Sequence, residues 1–160
     1  MAFLLDTNVC IGILTGRSPQ AVEKLRQLSP SDVRVASVVR AELQFGARNS
    51  SRVEANLALL ATFLAPFASV PFDDFAADYY GRIRADLHRA GVLIGPGRVG
   101  EAGLCPAEPG RGKEWKPSQG FHVNDMLIAA TALAHDLVLV TRNVKEFGRV
   151  PGLRWVDWEG

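Results

Sequence analysis

The stretch Phe3-Leu4-Leu5-Asp6-Thr7-Asn8 constrains this chain more than any other. A short apolar run that closes on a carboxylate reads as a buried strand delivering an acid to a sheet edge. A charge in that place is costly unless something compensates it. In open α/β sheets the compensation is a ligand or a metal, because sites lie beyond the carboxyl ends of the strands. The motif therefore predicts that other acids converge on Asp6.

The remaining pattern predicts how they do so. Residues 9–14 read as a short helix that Gly16 stops. Ser18-Pro19 opens a second helix, with Ser as cap and Pro at the first helical position. Residues 33–38 read as the second strand, and 39–47 as a helix that carries Glu42 and that Gly46 ends or weakens. Residues 51–64 form another helix, stopped by Pro66, and 69–72 a short strand. Asp73 caps a long helix to Ala90, with Phe75, Tyr79, Ile83 and Leu87 as an inward ladder and Gly91 at its close. Residues 124–134 are apolar nearly all round, which places that helix against the sheet. Residues 137–140 are a buried strand ending in Thr141-Arg142-Asn143, 144–147 a turn or short helix, and 153–158 a final strand or tail. Strands alternating with helices argue for a parallel α/β sheet covered on both faces.

A length of 160 residues fits one domain. Only residues 97–123 break the pattern: six Gly and three Pro among 27 positions, with no periodicity. They read as an insertion whose Arg98, Arg111, Lys113, Lys116 and Trp115 stand beside the expected site, with a solvated loop as the simpler account. The net charge of +1 announces no nucleic-acid binder, though a local basic rim beside an acidic site would average away. No apolar run has the length of a membrane span, and the start lacks the basic flank and apolar length of a signal peptide. Cys10 and Cys105 are too few and too far apart for a disulfide scaffold or zinc site. A cytoplasmic protein with reduced thiols is the expectation.

Placed on this scheme, Asp6 ends strand one, Glu42 lies on the helix after strand two, and Asp125 opens the buried helix. Glu146, with Asn143 nearby, follows the strand that closes at Thr141. All stand at the carboxyl edge of the sheet. Clustered carboxylates repel unless a cation lies between them, and oxygen-only ligands suit Mg²⁺ or Mn²⁺. Such ions activate water and neutralise charge on a phosphodiester. Singly, each acid has a plainer account: a turn cap for Asp6, a solvated helix face for Glu42, a first-turn acid for Asp125, surface for Glu146. Only the four together rise above that background.

Leu4-Leu5-Asp6-Thr7-Asn8, Ala41-Glu42-Leu43 and Phe45-Gly46 resemble the PIN-domain ribonucleases, specifically the VapC toxins of type II toxin–antitoxin pairs. So do Gly81-Arg82-Ile83-Arg84-Ala85-Asp86-Leu87, Gly95-Pro96, Asn124-Asp125-Met126-Leu127-Ile128-Ala129, Val140-Thr141-Arg142-Asn143-Val144-Lys145-Glu146-Phe147 and Pro151-Gly152-Leu153. The resemblance implies a PIN-like three-layer α/β/α sandwich on about five parallel strands, usually a homodimer, with metal-dependent endoribonuclease activity. Asp6, Glu42 and Asp125 match the family's metal-binding acids. Asn143 stands where many members have a further Asp, so the fourth acidic role passes to Glu146. Thr7 and Thr141 match positions near the metal, and Arg142, beside the acids, is the expected RNA-phosphate contact. The implied substrate is structured RNA such as tRNA. The implied partner is a VapB-type antitoxin that lays a segment over the groove. The family's Gly-Pro runs almost directly into the segment beginning at Asn124, so residues 97–123 are a departure.

Two other readings compete. A haloacid-dehalogenase-type phosphatase also starts from a strand-end Asp but needs a second Asp two positions on, where this chain has Asn8. A catalytically impaired PIN-like protein would keep RNA or antitoxin binding without cleavage.

Overall fold

The computed structural model describes residues 1–91 and 123–160. Most of the expected insertion, with Gly95-Pro96, Cys105, His122 and the basic residues of 97–122, lies outside them. Val123, expected to close the insertion, instead opens a helix.

The sheet is built from β1 (Phe3–Leu5), β2 (Val33–Ala36), β3 (Ala68–Val70), β4 (Val138–Val140) and β5 (Trp155–Val156). All neighbours are parallel, in the order β3-β2-β1-β4-β5. The helices are α1 (Thr7–Leu14), α2 (Pro19–Gln27), α3 (Ser37–Arg48), α4 (Val53–Leu64), α5 (Asp74–Arg89), α6 (Val123–Ala134) and α7 (Val144–Phe147). This is the expected α/β/α sandwich on a five-stranded parallel sheet. Parallel strands need both faces covered, and Leu4, Leu5, Val33, Val35, Leu139 and Val140 are accordingly buried. Met126, Ile128, Ala129, Ala130 and Ala132 bury α6 as its all-round apolarity predicts. The hydroxyl of Thr131 is satisfied inside that helix by the Leu127 carbonyl at 2.8 Å.

The strand order sets the site. From β1 the chain first moves outward to β2 and β3, then returns to place β4 on the other side of β1. Connections leaving β1 and β4 thus diverge, and the crevice at their carboxyl ends is where such sheets take ligands. Asp6 and Thr141 occupy those two ends.

Several local expectations are corrected. The helix expected at 39–47 begins at Ser37 and passes through Gly46 to Arg48. The Ser37 Oγ accepts a bond from the Phe72 amide at 3.2 Å, which ties the end of β2 to the turn before α5. Ser18 precedes α2, but its side chain makes no capping bond. Its buried Oγ has no hydrogen-bond partner among the described residues and faces Gly12, where a Cβ would lie 2.2 Å away. The open α2 amide of Ala21 is bonded at 3.1 Å by Glu159, from the far end of the chain. On α5, Asp73 caps through the Ala76 amide at 2.9 Å. That fixes a phase in which Ala76, Ile83 and Leu87 are buried, while Phe75 is 75% exposed and leaves the expected ladder.

Candidate active site

Asp6 is at once the last residue of the β1 run and the N-cap of α1. Its amide extends the β1–β4 ladder by bonding the Val140 carbonyl at 3.0 Å. The backbone therefore fixes the carboxylate at the crevice, and it is only 2% exposed. One oxygen accepts the Thr7 amide at 2.7 Å, the other the Thr141 hydroxyl at 2.9 Å. Thr141 Oγ1 itself accepts the Asn143 amide at 3.0 Å, so a directed chain runs from the start of α7 to Asp6.

These donors do not offset what surrounds the acid. Burial pushes the Asp6 carboxyl up from 3.8 to about 7, and the charges of Asp125 and Glu42 add to the effect. Asp125 lies in the first turn of α6, where the helix dipole favours an anion. Glu42 is held from two sides. Thr7 Oγ1, one residue after Asp6, donates to Oε2, and Asn124 Nδ2 donates to Oε1 at 2.7 Å. Cys10, a free buried thiol one turn into α1, is pushed up by burial and then by Asp6.

The structure thus gathers Asp6, Thr7, Glu42, Asp125 and Thr141 in one constellation. Glu146 does not join it: its carboxylate pairs with Arg149 at 3.2 Å, and its charge is not among those acting on Asp6. Asn143 takes part through its backbone. Arg142 is exposed beside it and lines an open groove together with Asn8 and Arg17. Two contributors had no role in the sequence reading. Asn124, a polar residue opening an apolar helix directly before Asp125, was the visible signal for a Glu42 holder. Arg17 follows a left-handed Gly16 (φ +69°) and has no comparable signal.

Among the described residues no three His, Cys, Asp or Glu form a ready-made coordination set. The donor chemistry still suits a hard cation, since every group is an oxygen ligand and the buried Asp6 faces two more carboxylates. Each Glu42 oxygen accepts one hydrogen bond and keeps a second lone pair with which to meet a cation.

The family model for the PIN domain matches residues 3–153. Ribonuclease VapC2 of Rickettsia felis is 30% identical, with the match covering 99% of each chain. A tRNA(fMet)-specific endonuclease VapC of Salmonella typhimurium is 32% identical over 99% of this chain and 98% of its own. A crystal structure of DNA-bound VapBC from Salmonella typhimurium superposes with a TM-score of 0.77 at 30% identity, covering 99% of this chain and 98% of that one. This chain is a member of the PIN-domain family and belongs with its VapC ribonucleases.

Proposed function

We propose that the protein is a metal-dependent endoribonuclease toxin that hydrolyses phosphodiester bonds of structured RNA such as tRNA. It works in the cytoplasm as a homodimer restrained by a VapB-type antitoxin. The observation that supports this most is Asp6, buried at the topological switch point beside Glu42 and Asp125, with its carboxyl pushed up to about 7. A carboxylate so placed calls for a cation. Asp6, Asp125 and Glu42 are the residues to hold Mg²⁺ or Mn²⁺, which when bound supplies an activated water and neutralises phosphate charge.

The chain's own groups prepare that chemistry. Thr141 and the Thr7 amide fix the two Asp6 oxygens, and Thr7 with Asn124 holds Glu42 against α1 and α6. Glu146 is paired with Arg149 through one carboxylate oxygen. The tRNA(fMet) specificity in the name of the Salmonella relative makes initiator tRNA the first substrate to try.

The test is cleavage of tRNA(fMet) and of total RNA by antitoxin-free protein, with Mg²⁺ or Mn²⁺ and with EDTA. Cleavage is expected only with the ion, and Asp125→Asn should lower it by about a hundredfold or more, the scale of losing a group that stabilises the transition state. Folded protein that cuts neither RNA with either ion would overturn the catalytic reading and favour binding without cleavage.

A further inference from the structure

Helix α1 separates two concavities of different character. On the α3–α4 side the wall is apolar apart from Glu42, Asn56 and Thr15. On the β4–α7 side an open groove of about 410 Å³ is lined by Asn8, Thr15, Arg17, Arg142 and Asn143, with Ile11 and Gly12. Both arginines are exposed and neither enters an ion pair or side-chain hydrogen bond among the described residues. Arg26, Arg82, Arg89, Arg149 and Arg154 by contrast each hold a carboxylate. Two guanidiniums that line one groove and lack an acidic partner among the described residues are placed for an anion. The groove is also wired to the acids, because the Asn143 amide bonds Thr141 Oγ1, which bonds Asp6.

We propose that this groove is a phosphate clamp for the RNA strand. In it Arg17 and Arg142 grip a backbone phosphate next to the one presented to Asp6, Glu42 and Asp125. A guanidinium offers parallel N–H donors that match phosphate oxygens, and it stays charged at any working pH. The groove is open along its length, as a site for a continuous strand must be. The clamp answers an electrostatic need, since three clustered carboxylates repel a polyanion and binding must come from charges set to one side. Asn8 and Asn143 present amides along the same path, suited to sugar or phosphate oxygens rather than to a base sequence.

This inference rests on the ribonuclease reading, and binding without metal separates the two. The affinity of labelled tRNA is measured in EDTA as a function of salt for the parent, Arg17→Ala, Arg142→Ala, the double variant and Arg84→Ala, a control for charge alone. Each clamp variant is expected to weaken binding by about tenfold and to reduce the salt slope by about one, while the double variant loses both increments. Arg84→Ala should change neither by a comparable amount. With metal added, the clamp loss should fall on KM more than on kcat. A double variant with unchanged affinity and salt slope overturns the clamp and leaves the groove to another occupant, such as an acidic protein segment. Failure of the parent to bind tRNA overturns it too. A parent that binds through both arginines yet never cleaves would sink the nuclease reading and keep the clamp.

Discussion

Asp6 is the residue on which strand, helix and site converge, and its environment makes a measurable thermodynamic statement. Its carboxyl stands near 7 in the fold, against 3.8 for an unperturbed one. The folded state therefore holds a proton that the unfolded chain has released. The associated stabilisation is complete below about pH 3.8 and is lost as pH rises through about 7. At about 1.4 kcal/mol per unit, the loss is at most about 4 kcal/mol. In EDTA, Asp6→Asn should thus be more stable than the parent at pH 8, with the gap shrinking toward pH 4, as read from urea midpoints. Curves that stay parallel across that range would show that Asp6 is not strained by its charge.

Asn124 makes a second prediction at the same scale. It supplies one of the two donors that hold Glu42. Partners that orient metal ligands are typically worth about ten- to a hundredfold in affinity or activity. Asn124→Ala should lose about tenfold in Mn²⁺-dependent cleavage, and Asn124→Asp should lose more by setting a charge against Glu42. Undiminished activity in both would mean that Thr7 alone positions that acid.

At the scale of elements, some of the architecture was legible and some was not, for identifiable reasons. The strands showed as buried apolar runs, and Asp73 announced α5 because its cap is local. The start of α3 did not show, since Val38 and Val39 extend a β-branched run although Ser37 already turns into the helix. Phe75 was misplaced because the Asp73–Ala76 bond, rather than the spacing of large residues, sets the phase of α5. The α2 cap could not be read at all, because Glu159 arrives from 138 residues away. Glu159→Ala should therefore cost about 1 kcal/mol in the urea midpoint, the usual worth of a helix cap. Ser18→Ala, which removes a buried hydroxyl that has no partner among the described residues, should be neutral or slightly stabilising. The reverse pattern would restore Ser18 as the cap.

At the scale of the whole molecule, the site follows from topology. The strand order sets β1 beside β4, and the Asp6–Thr141 bond joins residues 135 apart at their carboxyl ends. The placement of Asp6 at the carboxyl edge was readable from its strand-end motif and the rule for parallel sheets, whereas Thr141 was tied to the site only by family resemblance and its bond to Asp6 needed the strand order. The Asn124–Glu42 bond, the pairing of Glu146 with Arg149 and the position of Arg17 were not readable, because each depends on how helices pack above the sheet edge. Packing brings the charges of Glu42 and Asp125 to bear on Asp6, while Glu146 pairs with Arg149 just past α7. Among the described residues no helix is long and apolar enough to cross a membrane.

Asp6, Glu42 and Asp125 are proposed to form one divalent-cation site. Its most direct measurement is Mn²⁺ binding to folded, antitoxin-free protein, followed by electron paramagnetic resonance. The parent should show saturable binding that Asp6→Asn and Asp125→Asn each weaken by about tenfold or more, with a smaller loss in Glu146→Gln. Binding that survives both aspartate substitutions, or that depends on Glu146 alone, would contradict it.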